Sequence, residues 1–155
     1  MPATKLKEFL DRRDIRYVSI KHSPAFTAQE VAASAHVSGR DFAKTVIVMI
    51  GDQMAMVVLP AARRIVLSDL RELLDQPHLR LATEVEFRTA FPDCELGAMP
   101  PFGNLYGMPV YVASALADEI DIAFNAGTHT EIIKMKFADF DAAVRPIILD
   151  FVTTG

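Results

Sequence analysis

The sequence predicts a mixed α/β fold in which helices surround a largely antiparallel mixed sheet or a barrel-like sheet. Two observations carry this prediction. Residues 45–50 and 54–59 are apolar runs on either side of Gly51-Asp52, the pattern of a hairpin whose strands are covered on both faces. Before and after this hairpin, stretches with helical apolar spacing alternate with short β-prone stretches. A chain of 155 residues builds one core, so we expect a single domain over residues 1–155.

The first predicted elements are a helix, a strand and a second helix. Residues 4–13 carry their apolar side chains at three- and four-residue spacing, which predicts a helix with one buried face. Residues 17–20 are β-prone, and Pro24 marks the loop that follows them. Thr27 with Glu30 forms a capping box, so a helix should begin at Thr27.

Two further helices are predicted between the hairpin and residue 90. Ser68 is the predicted N-cap of a helix that carries three leucines. A short strand over residues 78–82 separates it from a second capping box, which Thr83 forms with Glu86. The helix that follows this box is expected to end at about Ala90.

Residues 91–108 form a long segment without a regular pattern. It holds three prolines and three glycines, and long irregular segments inside a compact domain are usually functional. Beyond it the sequence predicts three strands, at residues 110–112, 120–124 and 131–135. Residues 125–127 are the predicted turn between the last two strands, and a final helix is expected at residues 138–143.

Charge and cysteine content exclude several classes of protein. The net charge of −4 argues against general attraction to a polyanion, and residues 1–88 carry 13 basic and 11 acidic groups against 3 and 9 in residues 89–155. A nucleic-acid contact should therefore use the first half of the chain.

The longest apolar run has nine residues, well below the roughly 20 of a membrane span, and the N-terminus lacks a secretory h-region. With Cys94 as the only cysteine, these features predict a cytoplasmic protein without disulfides.

Common catalytic motifs are absent from the sequence. We find no G-x-S-x-G nucleophile elbow, no phosphate loop, no dinucleotide glycine fingerprint and no H-E-x-x-H zinc motif. The four histidines, His22, His36, His78 and His129, never pair at metal-ligand spacing, and the single thiol has no recognisable base. We therefore expect neither a metal nor an organic cofactor.

Four polar or glycine-rich segments fall at the ends of predicted strands, at residues 22–25, 43–45, 97–103 and 125–129. Their order and content resemble the YbaK family, the prolyl-tRNA synthetase-associated editing domain, over residues 22–144. Free-standing members of that family hydrolyse wrongly charged aminoacyl-tRNA, typically the proline tRNA carrying Ala, Cys or another small amino acid. The resemblance therefore implies the editing-domain fold, a deacylase activity and aminoacyl-tRNA as substrate.

The resemblance also implies which residues form the site. Lys44, which stands in Ala-Lys-Thr before an apolar strand, matches the lysine that these domains need, and His129 is the second catalytic candidate. The Gly-x-x-x-Pro loop of the family and its glycine turn supply most of the substrate-binding candidates. These candidates are Gly97, Pro101, Phe102, Gly103, Gly127, Thr128 and His22.

The chemistry of ester hydrolysis suits these residue types. An aminoacyl ester is already activated, so the site needs a positioned water or ribose hydroxyl and stabilisation of the carbonyl oxygen as it becomes anionic. Lys44 would supply positive charge to the phosphate of the terminal adenosine or to the ester. Gly97 lets the main chain approach the substrate and Pro101 holds its shape. His129 would orient the attacking group, act as a weak base or limit the pocket, and a buried structural histidine is the alternative.

One departure from the family pattern and two rival interpretations stay open. Many members have an aspartate where this sequence has Ala113, which leaves the subfamily undecided. The rivals are a noncatalytic module that binds tRNA ends or a synthetase, and a hydrolase of small activated esters. Under the editing interpretation we expect aminoacyl-tRNA as the partner, above all the proline tRNA, with prolyl-tRNA synthetase delivering it to a monomer or weak dimer.

Overall fold

The structure, a computed structural model, describes residues 4–22 and 37–154. The predicted helix that begins at Thr27 and most of the candidate segment 22–25 lie outside the described residues. Within the described ranges, we find no helix with the length and apolar character that crossing a membrane requires.

Five α-helices and eight strands make up the described part of the fold. The helices are α1 (Thr4–Arg12), α2 (Leu67–Leu73), α3 (Glu84–Phe87), α4 (Ser114–Ala117) and α5 (Phe137–Val144), with 3₁₀ turns at Arg88–Ala90 and Gly103–Tyr106. The strands are β1 (Tyr17–Lys21), β2 (Phe42–Ile50), β3 (Gln53–Pro60), β4 (Arg80–Leu81), β5 (Val110–Ala113), β6 (Asp121–Asn125), β7 (Glu131–Lys136) and β8 (Ile147–Leu149).

All eight strands belong to one mixed sheet with the order β1-β7-β6-β2-β3-β5-β8, and β4 pairs with β2 beside this path. The β2–β3 and β6–β7 hairpins, the β1–β7 pair and the β2–β4 pair are antiparallel. The β2–β6, β3–β5 and β5–β8 pairs are parallel and shorter than the hairpins. The predicted mixed α/β class with a largely antiparallel sheet is therefore confirmed.

Strand β2 has a gap along one of its edges. Its other edge is occupied by β3 from Ala43 onward, so β6 and β4 share the remaining edge. β6 pairs with Phe42 and Ala43 at the start of β2, and β4 pairs with Val48 and Met49 near its end. Residues 44–46 consequently lie between these two partners and pair with neither of them.

The two faces of the sheet carry separate apolar clusters because side chains alternate along each strand. On one face Ile47 joins the largest cluster, to which α1, α5 and a group of packed phenylalanine rings contribute. On the other face Phe42 and Val48 belong to two smaller clusters. By this alternation, Lys44 lies on the face of the smaller clusters.

The local predictions are confirmed in part. Thr83 and Glu86 form the expected capping box, in which the Thr83 N–H donates to the Glu86 carboxylate at 2.8 Å. The predicted N-cap at Ser68 is wrong, because the N-cap of α2 is Val66, two residues earlier, and the helix begins at Leu67. The Val66 N–H donates to the Phe151 carbonyl at 2.7 Å, a tertiary bond that sets where the helix starts. Helix α4 and strand β8 were not predicted, because one helical turn and three strand residues are too short to show a period.

Candidate active site

Main-chain hydrogen bonds join residues 95–98 to the turn between β6 and β7. The Glu95 N–H donates to the Gly127 carbonyl at 2.8 Å, and the Gly127 N–H donates to the Ala98 carbonyl at 3.0 Å. Gly97 and Gly127 have φ angles of +81° and +96°, values that favour glycine because any other side chain is strained there. We call residues 22, 95–98 and 127–129 the histidine corner.

His129 is the buried centre of this corner, with 9% of its surface exposed. Its backbone N–H donates to the Glu95 carboxylate at 2.7 Å, and its Nε2 lies 2.7 Å from the Leu96 carbonyl oxygen. A carbonyl oxygen only accepts, so we assign a proton to Nε2. The ring also lies beside Gly97, where a Cβ would come 3.6 Å from Cε1. The loop therefore orients the ring that packs against it.

The structure brings His22 and Thr128 to the same corner. The His22 N–H donates to the Thr130 carbonyl at 2.9 Å, which continues the β1–β7 ladder by one residue. The Thr128 hydroxyl lies 3.3 Å from the Thr130 hydroxyl. The predicted site residues that come together are thus His22, Gly97, Gly127, Thr128 and His129.

The next three candidates of the predicted loop are packed into the core. Pro101, Phe102 and Gly103 are all buried. The Phe102 ring centroid lies 5.4 Å from those of both Phe124 and Phe140, and a Cβ on Gly103 would come 2.9 Å from a main-chain oxygen. These contacts fix the loop to the core. A direct contact with substrate stays a prediction for these three residues.

Lys44 lines a separate pocket of about 240 Å³. Arg64 contributes a second positive charge to it, and the other lining residues are apolar: Val46, Leu59, Ile65, Leu67 and Leu81. Partial burial lowers the pKa of Lys44 below the ordinary lysine value, and the nearby charge of Arg64 lowers it further. None of the lining residues is acidic, so the two cations share the pocket without a carboxylate in its wall. We call it the cationic pocket.

The cationic pocket and the histidine corner lie at the same end of β6. Ala43 pairs with Phe124, so Lys44 stands beside Asn125, the last residue of β6 before the turn into the corner. Thr45 Oγ1 and Asn125 Oδ1 are buried here, and neither has a hydrogen-bond partner in the part of the chain that the structure describes. Because buried polar atoms are normally paired, the strand gap has unused hydrogen-bonding capacity.

Two residues of these regions were not among the sequence candidates. Glu95 holds the backbone of His129, but in the sequence it is one loop carboxylate among many. Arg64 belongs to an Arg-Arg pair that follows two alanines after the end of β3, and this basic pair is the signal that could have marked it. Its approach to Lys44 depends on the folded sheet.

Cys94 lacks the surroundings of a reactive thiol, and Ala113 lies in the apolar core. Burial raises the pKa of the Cys94 thiol to about 11, so the thiol is protonated at neutral pH and is a poor nucleophile. Ala113 is fully buried in an apolar cluster, where an aspartate would be desolvated. Across residues 4–22 and 37–154, no three His, Cys, Asp or Glu side chains gather as possible metal ligands.

The family model of the aminoacyl-tRNA editing domain matches residues 22–143. The chain belongs to that family. The matched range contains both the histidine corner and the cationic pocket, and it confirms the resemblance found in the sequence. No curated protein matches the chain. The roles of individual site residues in this editing domain stay predictions.

Several solved structures share the fold of the editing domain. A hypothetical protein superposes with a TM-score of 0.86 at 22% identity, covering 96% of this chain and 99% of that one. A candidate trans-editing enzyme for prolyl tRNA synthetase gives 0.83 at 20% identity, with 99% and 98% covered. A candidate signal transduction protein from Marinobacter aquaeolei VT8 gives 0.78 at 14% identity, with 97% and 30% covered. At these identities the likeness shows the fold alone, and the last match shows that the fold also occurs within a longer chain.

Proposed function

We propose that this editing domain is a trans-editing hydrolase that removes a small non-cognate amino acid, such as Ala or Cys, from mischarged proline tRNA. The observation that carries the proposal is a pocket with two cations, Lys44 and Arg64, and no carboxylate in its wall. Such a pocket favours an anionic ligand. Family membership supports aminoacyl-tRNA as the substrate class.

The proposed reaction is direct hydrolysis of the ester. A water molecule attacks the ester carbonyl carbon, the bond to the 3′ ribose oxygen breaks, and the proton released by the water passes to that oxygen. The products are the free amino acid and a tRNA with its 3′ hydroxyl restored. Positive charge stabilises the oxyanion or the adjacent phosphate, and we propose this role for Lys44.

For the histidine corner we propose that it positions the acyl group and limits its size. The Nε2 proton of His129 is committed to the Leu96 carbonyl, and Nδ1 is buried. This favours a positioning role for the ring over that of a general base. Gly97 and Gly127 let the main chain come close to the acyl group, and a wall held by hydrogen bonds discriminates against larger side chains.

The experiment that tests the proposal is deacylation of proline tRNA charged separately with Ala, Cys, Ser, Thr and Pro, by the wild type and by Lys44→Ala. We expect rapid loss of one mischarged species, and a rate lower by about 100-fold or more in the variant. Survival of every ester with the wild type would contradict hydrolysis. Binding of tRNA that is unchanged in Lys44→Ala and leads to no turnover would instead favour a binding module.

The substrate and partner can be separated by two further arms of the same assay. A minimal aminoacyl ester that is hydrolysed as fast as the tRNA ester would point to a hydrolase of small activated esters. Because the chain has a net charge of −4, we propose that prolyl-tRNA synthetase delivers the tRNA in the cytoplasm. Added synthetase should then lower the KM for mischarged tRNA.

A further inference from the structure

The C-terminal segment holds the main chain of Arg64 in place. The Arg64 N–H donates to the Thr153 hydroxyl at 3.1 Å, and the Thr153 N–H donates to the Arg64 carbonyl at 2.9 Å. The guanidinium of Arg63 adds a bond to the Thr153 carbonyl at 2.6 Å. One residue further on, Ile65 forms a bridge with Val152. Two hydrogen bonds to Thr153 therefore fix the main chain of Arg64 in the wall of the cationic pocket, and the contacts of Arg63 and Ile65 hold the residues on either side of it.

The side chains of the two neighbouring arginines have different surroundings. Arg63 is half-buried and bonded to main chain, whereas Arg64 is exposed and lines the pocket. Among the described residues, no carboxylate lies within ion-pair distance of Arg64 or Lys44. Two like charges at close range repel each other, and an anion placed between them removes that cost. The pair is therefore arranged to receive an anion.

The remaining wall of the pocket indicates what carries the anion. Five of its seven lining residues are apolar, and a free inorganic ion would gain nothing from them. A nucleotide presents a phosphate together with a ribose and a base that bury apolar surface. The volume of about 240 Å³ lies below the roughly 300–1,000 Å³ of pockets for drug-sized ligands, so the pocket takes no more than one nucleotide unit.

We propose that Arg64 is the second phosphate-binding residue of this site and that Arg64 and Lys44 hold one nucleotide of the tRNA 3′ end between them. The phosphate lies between the two cations, and the ribose and base pack on the apolar wall that Leu59 and Ile65 help to form. That this nucleotide belongs to tRNA rests on the proposed function. Arg64 binds substrate in this assignment and takes no part in the chemical step.

A binding experiment tests the phosphate contact without any catalysis. Adenosine 5′-monophosphate and adenosine are titrated separately into the wild type, Arg64→Ala, Arg64→Lys and the exposed control Arg88→Ala, followed by NMR. We expect the wild type to prefer the monophosphate, Arg64→Ala to bind it about tenfold more weakly, and the lysine variant and the control to keep the preference. Equal binding of the two ligands by the wild type, or unchanged binding of the monophosphate by Arg64→Ala, would overturn the proposal.

Deacylation kinetics then test whether the nucleotide belongs to tRNA. Arg64→Ala should raise the KM for mischarged tRNA about tenfold with kcat within about twofold of the wild type. The slope of log kcat/KM against log salt concentration should become shallower by about 0.7, the value for one phosphate contact on a single strand. A lower kcat at unchanged KM, or an unchanged salt slope, would overturn the assignment. If the wild type hydrolyses no ester, the proposed function fails while the monophosphate titration still decides the role of Arg64.

Discussion

The histidine corner and the cationic pocket lie at the same end of β6 but differ in how their polar groups are matched. In the corner, Glu95, Gly127 and His129 bond to one another and to the loop main chain. In the pocket, Lys44 and Arg64 face apolar side chains and no carboxylate. The corner pairs its loop main chain and the Glu95 carboxylate internally, whereas the pocket leaves positive charge unmatched.

The difference indicates what each region contributes. A network of satisfied hydrogen bonds stabilises the fold and holds its shape, whereas unmatched like charges cost stability and are useful only when a ligand arrives. Substitutions in the pocket should therefore change activity more than stability. Substitutions in the corner and in the buried loop that follows it should change stability and selectivity.

The largest expected effect is that of Lys44→Ala on activity. We expect kcat/KM for the edited tRNA to fall about 100-fold or more, with a melting temperature close to that of the wild type, because burial and Arg64 already disfavour this cation. Lys134→Ala, an exposed lysine on β7, is the matched control and should leave both quantities unchanged. A normal rate in Lys44→Ala would remove the pocket from the mechanism.

In the buried part of the loop that follows Gly97, Gly103→Ala should be the most destabilising small change. Its Cβ would lie 2.7 Å from a methyl of Val110 and 2.9 Å from the Met108 carbonyl oxygen, and the main chain cannot give way easily. We expect a loss of about 1–3 kcal/mol in the free energy of unfolding, measured by urea denaturation. Gly107→Ala is a comparison for backbone strain without crowding, since nothing lies within 4 Å of its Cβ and only its φ of +71° is strained. Unchanged stability in Gly103→Ala would mean that crowding does not matter at Gly103.

Within the corner, Glu95→Gln should have a smaller effect of the same kind. The amide keeps an acceptor for the His129 N–H but loses the charge that strengthens the bond. We expect a loss of about 1 kcal/mol in stability and a few-fold poorer discrimination between Ala and larger amino acids on the tRNA. Glu8→Gln, at an exposed carboxylate of α1, is the control. If selectivity were unchanged while stability fell, the corner would be structural only.

The smallest expected effect is a pH dependence from Lys44. Its pKa is lowered by burial and by Arg64, so the charged form that we propose to act is lost as pH rises through a value below that of an ordinary lysine. Activity, corrected for spontaneous ester hydrolysis, should fall over that range. The free energy of unfolding should rise over the same pH range, because between the folded and unfolded pKa values the unfolded chain binds more protons. In Lys44→Met the free energy of unfolding should not rise over this pH range. If it rises as in the wild type, the rise comes from another group.

Much of the fold was predictable because its signals are local. The apolar runs of the β2–β3 hairpin and the capping box of Thr83 act within a few residues, and both are present in the structure. Ser68 was predicted as a helix cap on the same kind of signal, but a bond from Val66 to a residue far along the chain sets that helix start. Strand β8 needs β5 beside it and shows no pattern of its own.

By itself, the sequence determined the mixed α/β class, the editing-domain family and a set of site candidates that includes Lys44, Gly97 and His129. Spacing, turn glycines and residue types carry that information because they act through neighbouring residues. Only the tertiary structure decided that Lys44 shares a pocket with Arg64, that Glu95 holds His129, and that Phe102 belongs to the core. These pairs meet because strand alternation selects the face of each side chain, and because strand pairing and loop bonds join parts of the chain that are distant in sequence.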